Sequence, residues 1–403
     1  MSATVTEQIH RASERKTFKP FDVPKRLLFS PGPTPVPASV LQAMTKTVLG
    51  HLDPRFLQCM DEIKEMLQYV FETENRLTLP VSATGSGGME AAVFNAVEPG
   101  DDVVVCPMGV FGERMLSIVE RTPARPVVVK TEWGEAVDVN RIEEAMKSCN
   151  PRVLALVHVE TSTGVAQELA GLAELAHRYD ALLIVDAVAS LSGQPVSVDA
   201  NGIDICYSGS QKCIGAPPGL APITLSERAI ERLRSRKTPV QSWYFDISGV
   251  EKYWGQERTY HHTAPVSMNY ALHEALRLIC EEGLEKRWAR HEQAHHALVA
   301  GLEAMGIEMM TPPEYRAIVV NAVRVPEGVD DLKVRRRLLT EHNIEIAGGL
   351  GVLKGKIWRV GLMGESSRQE NVLRLLDALQ QSLNGEGYAG VSGVDAAEHV
   401  FAS

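Results

Sequence analysis

Three short apolar runs constrain the fold of this chain more than any other feature: Asp102-Val-Val-Val-Cys106, Val153-Leu-Ala-Leu-Val-His-Val159 and Ala181-Leu-Leu-Ile-Val185. A strand with one wet face alternates apolar and polar residues. Runs this nearly unbroken belong to strands covered on both faces, as in parallel sheets between layers of helices. Residues 140–148 and 169–179 have helical spacing, ending near Asn150 and Asp180. Strand, helix, strand in this rhythm predicts βαβ units and a large α/β domain with a doubly wound, mostly parallel sheet. Ligands of such sheets bind outside the carboxyl ends of the strands.

The last third changes character. Residues 271–290 read as a long helix, continued in the same style over 287–305, and 367–383 as a closing helix. Residues 318–325 and 356–360 mix polar and apolar positions, as half-exposed strands do. These features predict a smaller α+β C-terminal domain. At 403 residues the chain exceeds what one hydrophobic core usually serves. The expected division is an N-terminal arm over 1–25, a large domain over 26–280, a small domain over 281–384 and a flexible, Gly-rich tail over 385–403.

A net charge of −10 argues against nucleic-acid or anionic-membrane partners, whose binding needs a basic surface. No run of eighteen apolar residues is long enough to span a bilayer. The six cysteines form no CxxC pair and no cluster with histidine at zinc spacing, so no metal site is expected. Met1 to Pro20 lacks the apolar core of a signal peptide, and Phe401-Ala402-Ser403 does not match a peroxisomal address. Cytoplasmic residence is the simplest expectation.

Lys212 stands in Tyr207-Ser-Gly-Ser-Gln-Lys-Cys213, ahead of Pro217-Pro-Gly219. A lysine in so apolar and glycine-rich a setting loses hydration, and a lysine with a lowered pKa is a nucleophile that forms imines. Taken alone, a lysine is more commonly a solvated surface charge. Asp186 follows a buried run, where a carboxylate can pair with the nitrogen of a bound pyridine ring; its plainer role is a helix cap. Ser82-Ala-Thr-Gly-Ser-Gly-Gly88 precedes a helical stretch, so the free backbone N–H groups of this turn can receive a phosphate. Many such turns are only tight turns. Arg359 can grip a carboxylate bidentately, although spacing alone favours a surface ion pair. Phe111 can stack on a flat ring or simply fill core.

In this company the chain resembles the class V aminotransferases of PLP fold type I, specifically the alanine–glyoxylate and serine–glyoxylate aminotransferases. The resemblance runs from about Leu27 to Leu383. It rests on Ser30-Pro-Gly-Pro-Thr34, Val185-Asp-Ala-Val-Ala-Ser190, Ser208-Gly-Ser-Gln-Lys212, Tyr260-His-His-Thr263 and Ile346-Ala-Gly-Gly-Leu-Gly351. It implies pyridoxal 5'-phosphate as cofactor, Lys212 as its Schiff-base lysine and Asp186 as the partner of its ring nitrogen. It also implies phosphate contacts from Thr84, Gly85, Ser86 and Gln211, and ring contacts from Phe111, Ser162 and Val188. The family often carries His at the position of Ser86 and Trp at that of Phe111. Arg359 is implied as the substrate-carboxylate clamp, with Gly32 lining the pocket. Tyr260 and Thr263 are implied to reach the cofactor of a neighbouring subunit, making a homodimer. The implied reaction moves an amino group from alanine, or serine, to glyoxylate, giving glycine and pyruvate or hydroxypyruvate. A serine–pyruvate aminotransferase and a lyase of the cysteine desulfurase type are the alternatives.

Overall fold

The computed structural model describes residues 16–388 and 390–403, so most of the expected N-terminal arm lies outside the described residues. After a two-residue strand β1 (Leu27–Leu28), seven strands build the central sheet. They are β2 (Leu77–Val81), β3 (Asp102–Cys106), β4 (Arg125–Val128), β5 (Pro151–Val157), β6 (Leu182–Asp186), β7 (Ile205–Tyr207) and β8 (Ala221–Leu225). Their order is β2-β8-β7-β6-β5-β3-β4, and only β8 runs antiparallel to its neighbours. Every residue of β3 and β6 is buried, which is why these strands read as unbroken apolar runs. Helices α1 (Pro54–Phe71), α2 (Gly85–Ala96) and α3 (Val110–Val119) pack on this sheet; α1 opens on Asp53, whose side chain accepts from Arg55 N–H. The helices expected at 140–148 and 169–179 occupy Val139–Lys147 and Leu172–Arg178.

The long helix expected from residue 271 is two helices, α4 (Val266–Glu282) and α5 (Leu284–Ala304). Gly283 separates them at φ +80°, a conformation that no helix interior accepts. Helix α4 packs on α1, whereas α5 packs on the C-terminal helices, so the chain passes from one hydrophobic core to the other along α5, between Trp288 and Ala294.

The second core lies under an antiparallel sheet formed by β9 (Val320–Arg324), β11 (Ala347–Gly348) and β12 (Ile357–Gly361), in the order β9-β12-β11. Helices α6 (Asp331–Glu341), α7 (Gln369–Asn384) and α8 (Val394–Ala402) complete it, and β1 joins it by pairing parallel with β10 (Ile344–Glu345). Three expectations are corrected here. Residues 27–29, assigned to the large domain, belong with the small one: β1 extends β10, and Phe29 is fully buried in the second core. Strands β9 and β12 are not half-exposed; all of β12 is buried, because its polar positions face protein groups rather than water. His295 meets Asn321 Oδ1 through Nδ1 at 2.7 Å, and Arg359 points toward the large domain. Finally, the tail over 385–403 is no loose segment throughout. It ends in α8, where Ala397 is buried and Val394, Val400 and Phe401 pack on α5 and α7. The glycines suggested looseness, but apolar residues at helical spacing provide a face worth burying.

Candidate active site

The carboxyl ends of β5, β6 and β7 bring the chemistry together, and β12 of the small domain faces them. Asp186 is the last residue of β6 and lies directly opposite Tyr207 on β7. Its Oδ1 accepts from Val188 N–H and its Oδ2 from the Tyr207 hydroxyl, each at 2.8 Å. Burial pushes the Asp186 carboxyl up to about 6, against the pull of those two donors. One donor per oxygen leaves lone pairs free for a third.

Lys212 lies in the loop after β7 and is 8% exposed. Burial, and next the Arg359 guanidinium, bring its amine down to about 8, so roughly a tenth is unprotonated at pH 7, far more than for an ordinary lysine. Its Nζ donates to the Pro31 carbonyl oxygen, and Thr34 Oγ1 donates to its backbone oxygen at 3.1 Å. The segment Pro31 to Thr34 therefore walls the lysine. Gly32 has φ +94°, and a Cβ there would meet Lys212 Cδ at 2.6 Å, so both its conformation and its closeness require glycine. Gln211, beside the lysine, buries its Oε1 with no partner. Turning that amide over would present its NH₂ group to an anion at the same place.

Helix α2 begins at Gly85, which lies against Val188, and Thr84 supplies no side-chain cap. The N–H groups of Gly85 and Ser86 find no acceptor among the described residues. Free N–H groups at the positive end of a helix form an anion seat.

Helix α3 is capped from far away in sequence. Glu160 Oε2 accepts from the N–H groups of Phe111 and Gly112, each at 3.0 Å. Ser162 Oγ accepts from Val110 N–H at 2.9 Å and donates to Glu160 Oε1 at 2.6 Å. Gly109 fits only because it lacks a side chain, since a Cβ would meet Ser162 Oγ at 2.3 Å. One buried carboxylate thus fixes both Phe111 and Ser162. Burial raises the Glu160 pKa, while its hydrogen bonds, led by that from Ser162, lower it.

Arg359 comes from β12, where its cross-strand neighbours Ala322 and Ala347 are small and leave room for the guanidinium. Its Nε donates to Gly348 O at 2.8 Å and its Nη1 to Thr161 O at 3.1 Å, leaving further N–H groups for a carboxylate. Burial lowers its pKa, with Glu160 pulling the other way.

Thus Gly32, Thr84, Gly85, Ser86, Phe111, Ser162, Asp186, Val188, Gln211, Lys212 and Arg359 all border this region. Tyr260 and Thr263 do not join them within one chain. Tyr260 is 54% exposed, with its hydroxyl 3.2 Å from Thr263 Oγ1 and its ring 4.9 Å from that of His51. Glu160, Tyr207 and Arg114 escaped the reading of the sequence. The signal for Glu160 was a carboxylate just past a buried strand, two residues before Ser162; that for Tyr207 was its place at the head of the lysine motif. A surface cavity of about 800 Å³, lined by residues such as Gln68, Glu72 and Trp288, holds none of these groups. Among the described residues no three His, Cys, Asp or Glu side chains cluster to hold a metal ion, and no helix is long and apolar enough to cross a membrane.

The chain is similar to known proteins over most of its length. The alanine–glyoxylate aminotransferase of Rattus norvegicus is 44% identical over 369 residues, 91% of this chain and 89% of its own. A crystal structure of the alanine–glyoxylate aminotransferase from Nostoc sp. superposes with a TM-score of 0.89 at 48% identity, covering 95% of this chain and all of that one. That of the ureidoglycine–glyoxylate aminotransferase from Bacillus subtilis gives 0.94 at 40%, covering 96% and all of it. The class V aminotransferase family matches residues 26–388, and the chain belongs to it.

Proposed function

We propose that this protein is a pyridoxal-phosphate-dependent aminotransferase that moves an amino group from alanine to glyoxylate, giving pyruvate and glycine. One observation carries the reading most: a buried amine near pH 8, Lys212, lies between a ring-pairing carboxylate, Asp186, and a carboxylate clamp, Arg359, from the other domain. The residues fit the cofactor. Free N–H groups at Gly85 and Ser86 and the unpaired Gln211 amide suit its phosphate, Asp186 its ring nitrogen, and Phe111 and Val188 its two ring faces.

When bound, the cofactor supplies an aldehyde that takes up amino groups and a ring that accepts an electron pair. The protein does the rest. Arg359 binds the carboxylate of the amino acid and turns its α-hydrogen toward Lys212. Lys212 Nζ would remove that proton and deliver it to the former aldehyde carbon of the cofactor, which keeps the amino group. Asp186 keeps the ring nitrogen protonated, which the Tyr207 and Val188 donors favour by stabilising its anion. Since every substrate carries a carboxylate beside the reacting carbon, one clamp serves both half-reactions. Tyr260 and Thr263, which among the described residues make no hydrogen bond to the groups of this site, support a homodimer in which they complete the partner's phosphate seat; exposed Trp243 beside them suits such an interface.

A second reading, ureidoglycine as amino donor to glyoxylate, is favoured by the TM-score of 0.94 to the Bacillus enzyme. A desulfurase reading is disfavoured, because burial raises the pKa of all six cysteines and leaves no ready thiolate. The test is a panel of amino donors against glyoxylate and pyruvate with purified, cofactor-loaded protein. Alanine with glyoxylate is expected to be fastest. Preference for ureidoglycine supports the second reading, and preference for glutamate or aspartate overturns both. Lys212→Ala should abolish transfer and the visible absorbance of the lysine-bound cofactor.

A further inference from the structure

Arg114 is a cation that the mechanism leaves unused. It follows Phe111 by three residues on α3, so the two side chains share a helix face. The guanidinium carbon lies 4.7 Å from the centre of the Phe111 ring, a cation–π contact that limits where the head can go. Nη1 donates to Ser86 Oγ at 3.0 Å, reaching from α3 to the first turn of α2. Among the described residues Arg114 forms no ion pair with Asp or Glu, although the chain carries ten more negative than positive side chains. Its charge also acts on Lys212 and Tyr207, so it lies within electrostatic range of the site.

The other partners available to an anion at the Gly85 turn are neutral: backbone N–H groups, hydroxyls and the Gln211 amide. Of the other two cations, Arg359 faces the substrate carboxylate, and Lys212 is committed to the cofactor aldehyde. A phosphate monoester carries up to two negative charges, and an arginine fork binds such a group more strongly and with more direction than neutral donors do.

We propose that Arg114 is the charge partner of the cofactor phosphate, held against Phe111 so that its guanidinium closes the Thr84–Ser86 turn from the α3 side. This rests on the cofactor reading above and names the residue that makes the site select the phosphorylated form. Arg114 is exposed and caps no helix, so replacing it leaves the fold intact.

The experiment titrates cofactor-free protein with pyridoxal 5'-phosphate and, separately, with pyridoxal, which has the same ring and aldehyde but no phosphate. Wild-type protein that binds neither overturns the cofactor reading itself. Given wild-type binding, Arg114→Gln is expected to weaken pyridoxal 5'-phosphate about tenfold or more, the usual effect of one charged hydrogen bond. Pyridoxal should change less than about twofold, since the lost contact is to phosphate. Arg114→Lys should recover part of the difference, because it keeps the charge without the fork. Unchanged affinity for the phosphorylated form overturns the proposal. So does equal weakening of both ligands, which would trace the effect to the Phe111 ring instead.

Discussion

Tyr207 donates its hydroxyl to Asp186 Oδ2 at 2.8 Å from the neighbouring strand, with both side chains buried. A hydrogen bond to a buried anion is worth roughly 1.5–3 kcal/mol, or about one to two pH units of acidity. Tyr207→Phe should therefore raise the Asp186 pKa further above its value of about 6. The acidic limb of the kcat/KM pH profile should move up by about one unit, and activity should recover toward pH 8.5. A limb that stays in place would mean that the hydroxyl only fills space.

The same carboxyl makes a prediction about stability without cofactor. Its folded pKa of about 6 lies above the ordinary carboxyl value of 3.8, so ionising Asp186 costs folding free energy. That cost is absent below 3.8, grows through the interval and is complete above about 6, where it reaches on the order of 3 kcal/mol. Asp186→Asn should then raise the melting temperature of the cofactor-free protein at pH 8 but not at pH 4, while abolishing amino transfer. Calorimetry at the two pH values checks it; equal shifts at both would contradict the sign.

Glu160 holds two contacts of the site through one side chain. Glu160→Ala would leave the N–H groups of Phe111, Gly112 and Ser162 without their acceptor and a buried hole, a loss of several kcal/mol. Glu160→Gln keeps one acceptor oxygen and the volume. It should fold with a lowered melting temperature and bind pyridoxal 5'-phosphate about tenfold or more weakly, because one oxygen cannot anchor both Phe111 and Ser162. Thermal melts and a cofactor titration measure the two effects together, and undiminished cofactor affinity would show that the anchor is dispensable.

Why Glu160 was illegible while Lys212 was not follows from what each residue's neighbours reveal. Lys212 carries its context in adjacent residues, Ser208-Gly-Ser-Gln before it and Pro217-Pro-Gly219 after it. Glu160 acts on Phe111 across 49 residues, a contact that only the β3 to β5 pairing creates. The sheet was legible because burial on both faces erases alternation, as in β3 and β6. The same reasoning misjudged β12, where the polar Arg359 suggested a wet face but points across the domain boundary. Composition likewise hid α8, since glycines before Val394 outweighed the apolar spacing after it.

In the proposed reaction Arg359 serves each substrate in turn, so its replacement should act on both. Arg359→Lys keeps the charge and loses the fork. KM for alanine and for glyoxylate should each rise roughly tenfold to a hundredfold, as expected for loss of charged hydrogen bonds. A rise for only one substrate would show that the second carboxylate is held elsewhere.

Glu282 holds the two domains in register around the site. It ends α4 and pairs with Arg287 at 2.5 Å and with Arg290 at 2.6 Å, both on α5. Arg287 donates to the carbonyls of Ser192 and Cys213, beside Lys212, whereas Arg290 donates to Gly364 O and Ser367 Oγ, just past the strand that carries Arg359. Lysine and clamp are thus tied through one carboxylate. Burial pushes that carboxyl up, but Arg290 and Arg287 outweigh it and hold it at about 2, below the ordinary 4.5. Its stabilisation is therefore present above about 4.5 and lost as pH falls toward 2, at most about 3 kcal/mol. Glu282→Gln leaves Arg287 buried without a counter-charge, costing roughly 3 kcal/mol near neutrality. The gap in melting temperature between wild type and variant should be widest above pH 5 and close toward pH 2. If the gap is the same across that range, the carboxylate contributes shape and not charge. Because the tie spans both domains, KM for both substrates should rise in the variant even at temperatures where it remains fully folded.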